Sequence, residues 1–347
     1  MSTDEKPKIL LLGGIDHTKA KDAWSALSSL GTLLTPKATN PTDFLQECRS
    51  GSLDGVKAVY RTFQSVSITG RIEGAGYDQI SVSACTSHGI FVSNTPQVVD
   101  AATADTAIFL MLGALRGFNL PLLTLRKGEW RGKTSPPLGH DPEGKKLGIL
   151  GMGGIGRDIG RKAEGFGMSV VYHNRKRLPP EEEGGAKYVS FEELLKGSDV
   201  LSLNLPLNVS SSLCYLFFLE DYPRSLVVYV KAERLQKNTR HIISTPQFAQ
   251  MKDGVVIINT ARGPVMDEAA LVDALKSGKV FSVGLDVFEE EPKVHPGLLE
   301  NEHVLLLPHM GTATYETQEK MELHVIDNVR SALEMGKLVT PVPEQQA

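Results

Sequence analysis

The sequence has few cysteines, no long hydrophobic run and little net charge. Its three cysteines, Cys48, Cys85 and Cys214, are too few and too scattered for a disulfide framework or a zinc site. No run approaches the roughly 18 apolar residues of a membrane-spanning helix. A formal net charge of -4 provides no basic field for nucleic acid or an anionic membrane. We therefore expect no metal, no nucleic-acid partner and no membrane span.

The composition that remains is that of a globular protein. The 347 residues are 41% hydrophobic and 22% charged, which suffices for two domains with sizeable cores. The charged N-terminus, MSTDEKPK, precedes an apolar run of only Ile9–Leu12, and this pattern does not fit a secretory signal. The expected location is the cytoplasm.

Strands and helices alternate regularly from Lys146 onward. The strands are apolar at nearly every residue, which is typical of a parallel sheet that helices cover on both faces. The pattern predicts an α/β, doubly wound fold. The predicted strands are Lys146–Leu150, Ser169–Tyr172, Asp199–Asn204, Val255–Asn259, Phe281–Val287 and Val304–Leu307.

A glycine motif joins the first of these strands to a helix. Gly151, Gly153 and Gly156 form G-x-G-x-x-G, and the strand–turn–helix context makes the motif a strong indication of a dinucleotide site. The glycines allow close approach to a pyrophosphate, which the helix N-terminus attracts. A tight turn without a ligand is the plainer alternative.

The end of the next strand bears on the choice of cofactor. NAD-binding folds usually place an acid there, about 20 residues after the glycines, to bind the ribose. This chain has Asn174 at that position, followed by Arg175, Lys176 and Arg177. Arginine there suits the 2′-phosphate of NADP, so we expect NADP, with NAD possible. The basic residues could instead only solvate a loop.

Three side chains at later strand ends can converge on the nicotinamide. Arg262, Glu291 and His309 follow three strands, and ligands of doubly wound sheets bind beyond the carboxyl ends of strands. Arginine can hold a carboxylate with two parallel bonds, and histidine can protonate a carbonyl as hydride arrives. A nearby carboxylate would orient the histidine and stabilise its charge.

The motifs NTARG, GLDVFEEEP and LPHMGTAT, together with GMGGIG, resemble the D-isomer-specific 2-hydroxyacid dehydrogenase family. The resemblance implies a Rossmann cofactor domain over residues 98–310 and a flavodoxin-like substrate domain over 1–97 with a C-terminal return at 311–347. It also implies a homodimer formed through the cofactor domain. The expected activity is hydride transfer between NAD(P)H and a small 2-keto or D-2-hydroxy acid, such as glyoxylate, hydroxypyruvate or a bulkier acid.

The same resemblance assigns roles to residues. Arg262 would bind the substrate, Glu291 would partner His309, and His309 would be the acid in reduction and the base in oxidation. Asp286 would contact the nicotinamide, and backbone amides at Ala75 and Gly76 would receive the substrate carboxylate. The remaining expected cofactor-binding residues are Gly151, Gly153, Gly154, Ile155, Gly156, Asn174, Arg175, Arg177, Leu205, Pro206, Thr260, Ala261 and Gly311.

Two segments depart from the family pattern. Val209–Gln236 is an excess where connections usually hold roughly two to six residues, and it contains the apolar runs Leu213–Leu219 and Leu226–Val230. It could be a hairpin lid or a partner-binding patch; the preferred interpretation is translated intron. Conversely, the connection between Val56–Tyr60 and Gly74 is short, which predicts a truncated substrate domain.

Two alternatives to an active reductase remain open at this point. The chain could be a dinucleotide-sensing binding protein, like corepressors that share this fold, with the apolar insert as its partner site. It could also be an inactive product of a flawed gene model.

Overall fold

The protein is described from a computed structural model of the 347-residue chain. The structure describes residues 6–12, 19–61, 80, 82–87, 89–130, 138–207, 211–212, 232–233 and 239–346. The chain divides into two compact units. The first comprises Met1–Val99, Ser210–Gln236 and Ala313–Ala347, and the second comprises Asp100–Val209 and Lys237–Thr312.

The strands and helices are numbered in chain order. The strands are β1 Lys8–Leu12, β2 Thr32–Leu34, β3 Val56–Arg61, β4 Lys146–Leu150, β5 Ser169–His173, β6 Lys187–Tyr188, β7 Val200–Leu203, β8 Ser211–Ser212, β9 Ala232–Glu233, β10 Val255–Asn259, β11 Val280–Leu285 and β12 Leu305–Leu306. The helices are α1 Lys21–Leu27, α2 Pro41–Arg49, α3 Val82–Ser87, α4 Asp100–Arg116, α5 Asn119–Arg126, α6 Gly154–Glu164, α7 Phe191–Gly197, α8 Thr245–Gln250, α9 Glu268–Lys276, α10 Pro296–Leu299 and α11 Tyr315–Met335.

The second unit is built on a seven-stranded parallel sheet in the order β12-β11-β10-β7-β4-β5-β6. Six of these strands follow the order 3-2-1-4-5-6 of the doubly wound dinucleotide fold. All five residues of β10, VVIIN, are buried, as expected for a strand covered on both faces. The predicted doubly wound α/β fold is therefore confirmed.

Helices cover both faces of this sheet. One face packs on α7, α8 and α9 through residues such as Leu194, Phe248 and Leu271. The other packs on α4 and α6 through residues such as Leu110 and Ile159. Local signals set the helix starts: Ser190 and Glu193 form a capping box at α7. These helices fix the loops at the carboxyl edge of the sheet, where the predicted site residues lie.

The helix α4 is the central helix of the second unit. Its buried side includes Ala104, Ala107, Leu110, Met111 and Ala114, and small residues permit close packing on the sheet. No single described helix is long and apolar enough to cross a membrane. The pair α4 and α5, bent by 83°, meets that test only when taken together, and only by length and composition.

The first unit contains a parallel sheet in the order β2-β1-β3. This is the order of the first three strands of a flavodoxin-like fold. On one face Trp24 packs on Tyr60, with ring centroids 4.6 Å apart, beside Ile326 and Val329 of α11. Phe44 and Cys48 of α2 pack on the other face. The segment after residue 312 thus completes the core of the first unit.

The two anomalous segments lie mainly outside the described residues. Within Val209–Gln236 the structure describes β8 and β9, which pair antiparallel with Ser211 opposite Glu233. The apolar runs at 213–219 and 226–230, on which the lid and partner-site hypotheses depend, lie outside the described residues. So does most of the short connection that follows β3, at residues 62–79.

Candidate active site

The glycine motif forms a close-packed turn after β4. Gly151 has φ +100°, and a Cβ atom there would lie 2.7 Å from the carbonyl carbon of Asn204. A Cβ at Gly156 would lie 2.6 Å from the carbonyl oxygen of Gly151. A Cβ at Gly153, in contrast, would meet nothing within 4 Å. The backbone is therefore tightly packed on its inner side and open at Gly153, which suits the approach of a pyrophosphate.

Position 154 requires glycine because an acidic side chain lies close to it, and not because of its backbone conformation. A side chain at this position would overlap the carboxylate of Asp100. Burial, reinforced by the charge of Asp158, raises the pKa of Asp100. Because residue 154 is the first residue of α6, this acid lies against the positive end of the helix. Ile155 packs into the core.

The residues after β5 have separate roles. Asn174 braces the glycine turn, because its Oδ1 accepts a 2.6 Å hydrogen bond from the Met152 amide. The guanidinium of Arg177 donates through Nε and Nη2 to Glu183, at 2.7 and 3.0 Å. Arg177, with Tyr172, lowers the pKa of Glu183 to about 2. Arg175 and Lys176 are exposed, as is Arg177.

Two buried polar atoms follow directly after β7 and β10. Asn204 Oδ1 and Thr260 Oγ1 are buried and make no hydrogen bond with any of the residues that the structure describes. Buried polar atoms normally have partners. Beside them Leu205 packs against the core, and the carbonyl of Pro206 accepts a 2.9 Å hydrogen bond from Thr239. Together with the glycine turn, these unpaired atoms fit a bound dinucleotide.

The loop that carries Arg262 is held by a buried asparagine. Asn259 ends β10 and is fully buried. Its Oδ1 accepts from the Ala261 amide at 3.0 Å, and its Nδ2 donates to the Arg262 carbonyl at 3.1 Å. A side chain at Gly263 would overlap the backbone of Phe288, so the Arg262 loop packs directly on the loop that leads to Glu291.

Glu291 and His309 form a hydrogen-bonded pair. Glu291 Oε1 accepts from the Phe288 amide at 2.8 Å, and Oε2 lies 3.1 Å from His309 Nδ1. A carboxylate oxygen can only accept, so Nδ1 donates. Nε2 is the second ring nitrogen of His309 and is the atom suited to exchange a proton with a ligand. The structure thus brings together the acid and histidine that the sequence predicted as partners.

The run of three glutamates is not simply a solvated face. The side chains of Glu289 and Glu291 are only 16% and 10% exposed, whereas Glu290 is exposed. The two inward residues are separated by one position, as in extended backbone. That alternation is a signal that distinguishes Glu291 within the run.

Asp286 fastens the histidine loop. Its carboxylate accepts from the Met310 amide at 2.6 Å and from the Gly311 amide at 2.8 Å. Burial raises the pKa of this carboxyl. The resemblance implied a nicotinamide contact, and the structure adds a positioning role through the two residues that follow His309. Asn259 and Asp286 share one sequence signal, a polar residue at the end of a buried apolar strand.

The predicted substrate-binding amides of Ala75 and Gly76 lie outside the described residues. Their assignment stays a prediction. The remaining predicted site residues lie at the carboxyl edge of one sheet, after β4, β5, β7, β10, β11 and β12.

A family model matches the second unit. The family described as D-isomer specific 2-hydroxyacid dehydrogenase, NAD binding domain, matches residues 108–213 and 220–311. The match therefore contains every predicted catalytic residue. Its interruption falls inside Val209–Gln236, the segment set apart by sequence.

Individual proteins match over nearly the whole chain. A 4-methyl-2-oxopentanoate reductase A of Aspergillus oryzae is 50% identical, over 98% of this chain and 99% of the relative. A crystal structure of a glyoxylate reductase from Paecilomyes thermophila has a TM-score of 0.86 at 52% identity, with 98% and 99% of the chains covered. An NADPH-dependent glyoxylate/hydroxypyruvate reductase from Sinorhizobium meliloti, solved with NADP and malonate, has a TM-score of 0.77 at 28% identity and 98% coverage of both chains.

These alignments correct one expectation. The chain covers 99% of the glyoxylate reductase structure, so the predicted truncation of the substrate domain is wrong. The residues before β3 already form β1, α1, β2 and α2, which supply much of the domain. The translated-intron interpretation of Val209–Gln236 remains a hypothesis about the transcript.

Proposed function

The chain belongs to the D-isomer-specific 2-hydroxyacid dehydrogenase family, and on that basis we propose that it reduces small 2-keto acids to D-2-hydroxy acids with NADPH as the preferred cofactor. The observation that carries the proposal is the Glu291–His309 pair, in which Oε2 and Nδ1 lie 3.1 Å apart. The Arg262 loop packs on the loop that leads to Glu291. The relatives named above are reductases of 2-keto acids, so a corepressor-like binding protein or an inactive chain is not favoured.

The proposed roles follow from this geometry. Arg262 holds the substrate carboxylate, because a guanidinium can donate two parallel bonds to it. A bound reduced nicotinamide supplies the hydride that adds to the keto carbon. His309 Nε2 gives its proton to the carbonyl oxygen, which becomes the hydroxyl, and Glu291 stabilises the imidazolium before that transfer. Ala75 and Gly76 are proposed to receive the carboxylate through their amides.

The test of the proposed function is turnover by the wild-type protein. Loss of NADPH absorbance should depend on glyoxylate, hydroxypyruvate or 4-methyl-2-oxopentanoate. The products from hydroxypyruvate and 4-methyl-2-oxopentanoate should be the D isomers by chiral chromatography, whereas glycolate from glyoxylate is achiral. A folded protein that binds NADPH and turns over none of the three acids would contradict the proposal.

The preference for NADPH is proposed from the residues that follow β5. Asn174 carries no charge to repel a phosphate, and Arg175 is an exposed cation next to it. We expect Arg175→Ala to raise the KM for NADPH about 10- to 100-fold, the value of a charged hydrogen bond of roughly 1.5–3 kcal/mol. The KM for NADH should stay within about twofold, because NADH lacks the phosphate that the guanidinium binds.

Steady-state kinetics with both cofactors measure this difference. Arg161→Ala is the matched control, because Arg161 is 68% exposed and lies on α6. An equal rise in KM for both cofactors would show that Arg175 does not read the phosphate.

A homodimer formed through the cofactor domain is proposed from exposed apolar residues on α5 and its surroundings. Leu122 and Leu125 are 47% and 52% exposed, and Phe109 and Trp130 are 53% and 71% exposed. Contiguous exposed apolar side chains often mark an interface. Sedimentation equilibrium should give twice the 37.7 kDa chain mass; a monomer would refute the proposal. A cytoplasmic location stays a prediction.

A further inference from the structure

A cluster of charged side chains lies behind the Glu291 loop. It is formed by Arg240, His241, Asp267, Glu268 and Glu289. None of these residues is among the predicted site residues. The cluster joins three segments: Arg240 with His241, the chain that follows Arg262, and the Glu291 loop.

His241 makes the contacts that tie these segments together. Its amide donates to the Pro264 carbonyl at 2.8 Å, two residues beyond Arg262. Its Nε2 donates to Glu289 Oε1 at 2.6 Å, two residues before Glu291. Its Nδ1 lies 3.8 Å from Asp267 Oδ2. His241 therefore contacts the Arg262 loop through its amide and the Glu291 loop through its half-buried imidazole.

The backbone of His241 is also fixed. Its φ is +51°, in the left-handed region that His, Asn and Gly tolerate better than most residues. His309 has φ +60°. Non-glycine residues held in this region tend to occur at functional sites, where the surrounding structure maintains them.

Glu289 lies beside a second carboxylate and accepts hydrogen bonds from two side chains. Its amide donates to the Glu268 carboxylate, and the Glu268 amide lies 3.4 Å from Glu289 Oε2. Burial and the charge of Glu289 raise the pKa of Glu268. Two carboxylates thus lie close together, and Glu289 Oε1 accepts from His241 and from Arg240, whose Nη2 is 2.5 Å away.

A movement of Glu289 would displace Glu291, which is two residues away and contacts His309. Glu289 and Glu291 flank the single exposed Glu290, and the Phe288 amide that binds Glu291 adjoins Glu289. If Glu289 turned outward, the short loop would carry the Glu291 carboxylate with it. We propose that His241 is a positioning residue that holds Glu291 against His309 through Glu289, an inference that rests on the proposed reductase function.

A double-mutant cycle with the full chain tests this proposal. His241→Asn keeps a residue that tolerates the left-handed backbone but is too short to reach Glu289. We expect it to lower kcat about tenfold, within the range of couplings between contacting residues, with the KM for NADPH within about twofold. His241→Gln places an amide donor near the position of Nε2 and should restore most of kcat. In a Glu291→Gln background, His241→Asn should cost less than about twofold more, because the link it maintains is already broken.

Independent variants keep the test decisive. Glu289→Ala should reproduce the loss of kcat and should not add to His241→Asn, whereas Glu290→Ala at the exposed neighbour should have little effect. His324→Asn is the histidine control, since His324 is half-buried in the first unit and its Nε2 lies 2.8 Å from Thr340 Oγ1. Melting temperature and NADPH titration report on folding of each variant.

The outcomes separate the two proposals. If wild-type protein turns over no keto acid, the proposed function fails before any variant is made. If wild-type protein is active but His241→Asn leaves kcat unchanged, or lowers it equally in the wild-type and Glu291→Gln backgrounds, the positioning role is refuted. Equal losses in the Asn and Gln variants would refute the hydrogen bond as its cause. If His241→Asn does not fold, the double-mutant cycle of Glu289→Ala with Glu291→Gln tests whether Glu289 acts through Glu291, and His241→Gln tests the histidine itself.

Discussion

Replacing His309 with glutamine is expected to lower kcat for keto-acid reduction by about 10²- to 10⁴-fold, the usual contribution of a general acid. Glutamine can still donate a hydrogen bond, but it has no proton to give to the carbonyl oxygen. Glu291 would then face a neutral amide in place of the Nδ1 donor at 3.1 Å. The loop should keep its position, because Asp286 binds the Met310 and Gly311 amides rather than the imidazole.

The measurement is kcat at saturating NADPH, with NADPH affinity determined separately by fluorescence titration. Affinity should stay within about threefold, since the glycine turn is untouched by the substitution. His140→Gln serves as the control, because His140 is an exposed histidine of the same unit. A His309→Gln variant with more than a tenth of wild-type kcat would show that the proton comes from another group or from water.

The strands of the second unit could be predicted because burial on both faces leaves a plain sequence pattern. The predicted bounds of β4 and β10 are those of the structure, since all positions but Lys146 at the start of β4 and Asn259 at the end of β10 are apolar or glycine. By contrast, β2 and β6 are short strands with exposed or half-buried residues. Such segments are too short to show the alternation of apolar and polar residues that indicates a strand.

The roles of polar residues were harder to predict than their location. The sequence indicated that Asn174, Arg175 and Arg177 lie beside the glycine turn. It could not indicate that Asn174 would hold the Met152 amide or that Glu183 would engage Arg177. Those partners depend on the path that the chain takes after β5, where the Glu181–Glu183 segment brings Glu183 to Arg177. Sequence spacing does not define such a path. The motif thus identifies the site, while the tertiary contacts decide which of its residues remain available to a ligand.

The same distinction applies to the loops at the carboxyl edge. A motif search identifies Arg262, Glu291 and His309, but each depends on a residue outside that set. Asn259 supports Arg262, Asp286 supports the His309 loop, and the Phe288 amide orients Glu291. A catalytic group must be held to within a fraction of an ångström of its productive position. These supporting contacts are therefore as much a part of the predicted activity as the three side chains.

Replacing Arg262 with alanine is expected to lower kcat/KM for the keto acid by about 10²- to 10⁴-fold. Two hydrogen bonds to a charged carboxylate contribute roughly 1.5–3 kcal/mol each, and each 1.36 kcal/mol corresponds to about tenfold in rate. The loop itself should survive, because Asn259 holds it through the backbone of Ala261 and Arg262 rather than through the guanidinium. The KM for NADPH should consequently change little.

Arg262→Lys distinguishes charge from geometry. Lysine keeps the positive charge but is a point donor without the planar fork, so it should recover only part of the lost kcat/KM. Arg330→Ala is the control, because Arg330 is a 41% exposed arginine on α11 in the first unit. If Arg262→Ala kept kcat/KM within tenfold of wild type, the carboxylate would be held elsewhere. The proposed amides of Ala75 and Gly76 would then have to supply the substrate binding, and replacing each residue with proline, which removes the backbone N–H, would show whether they do.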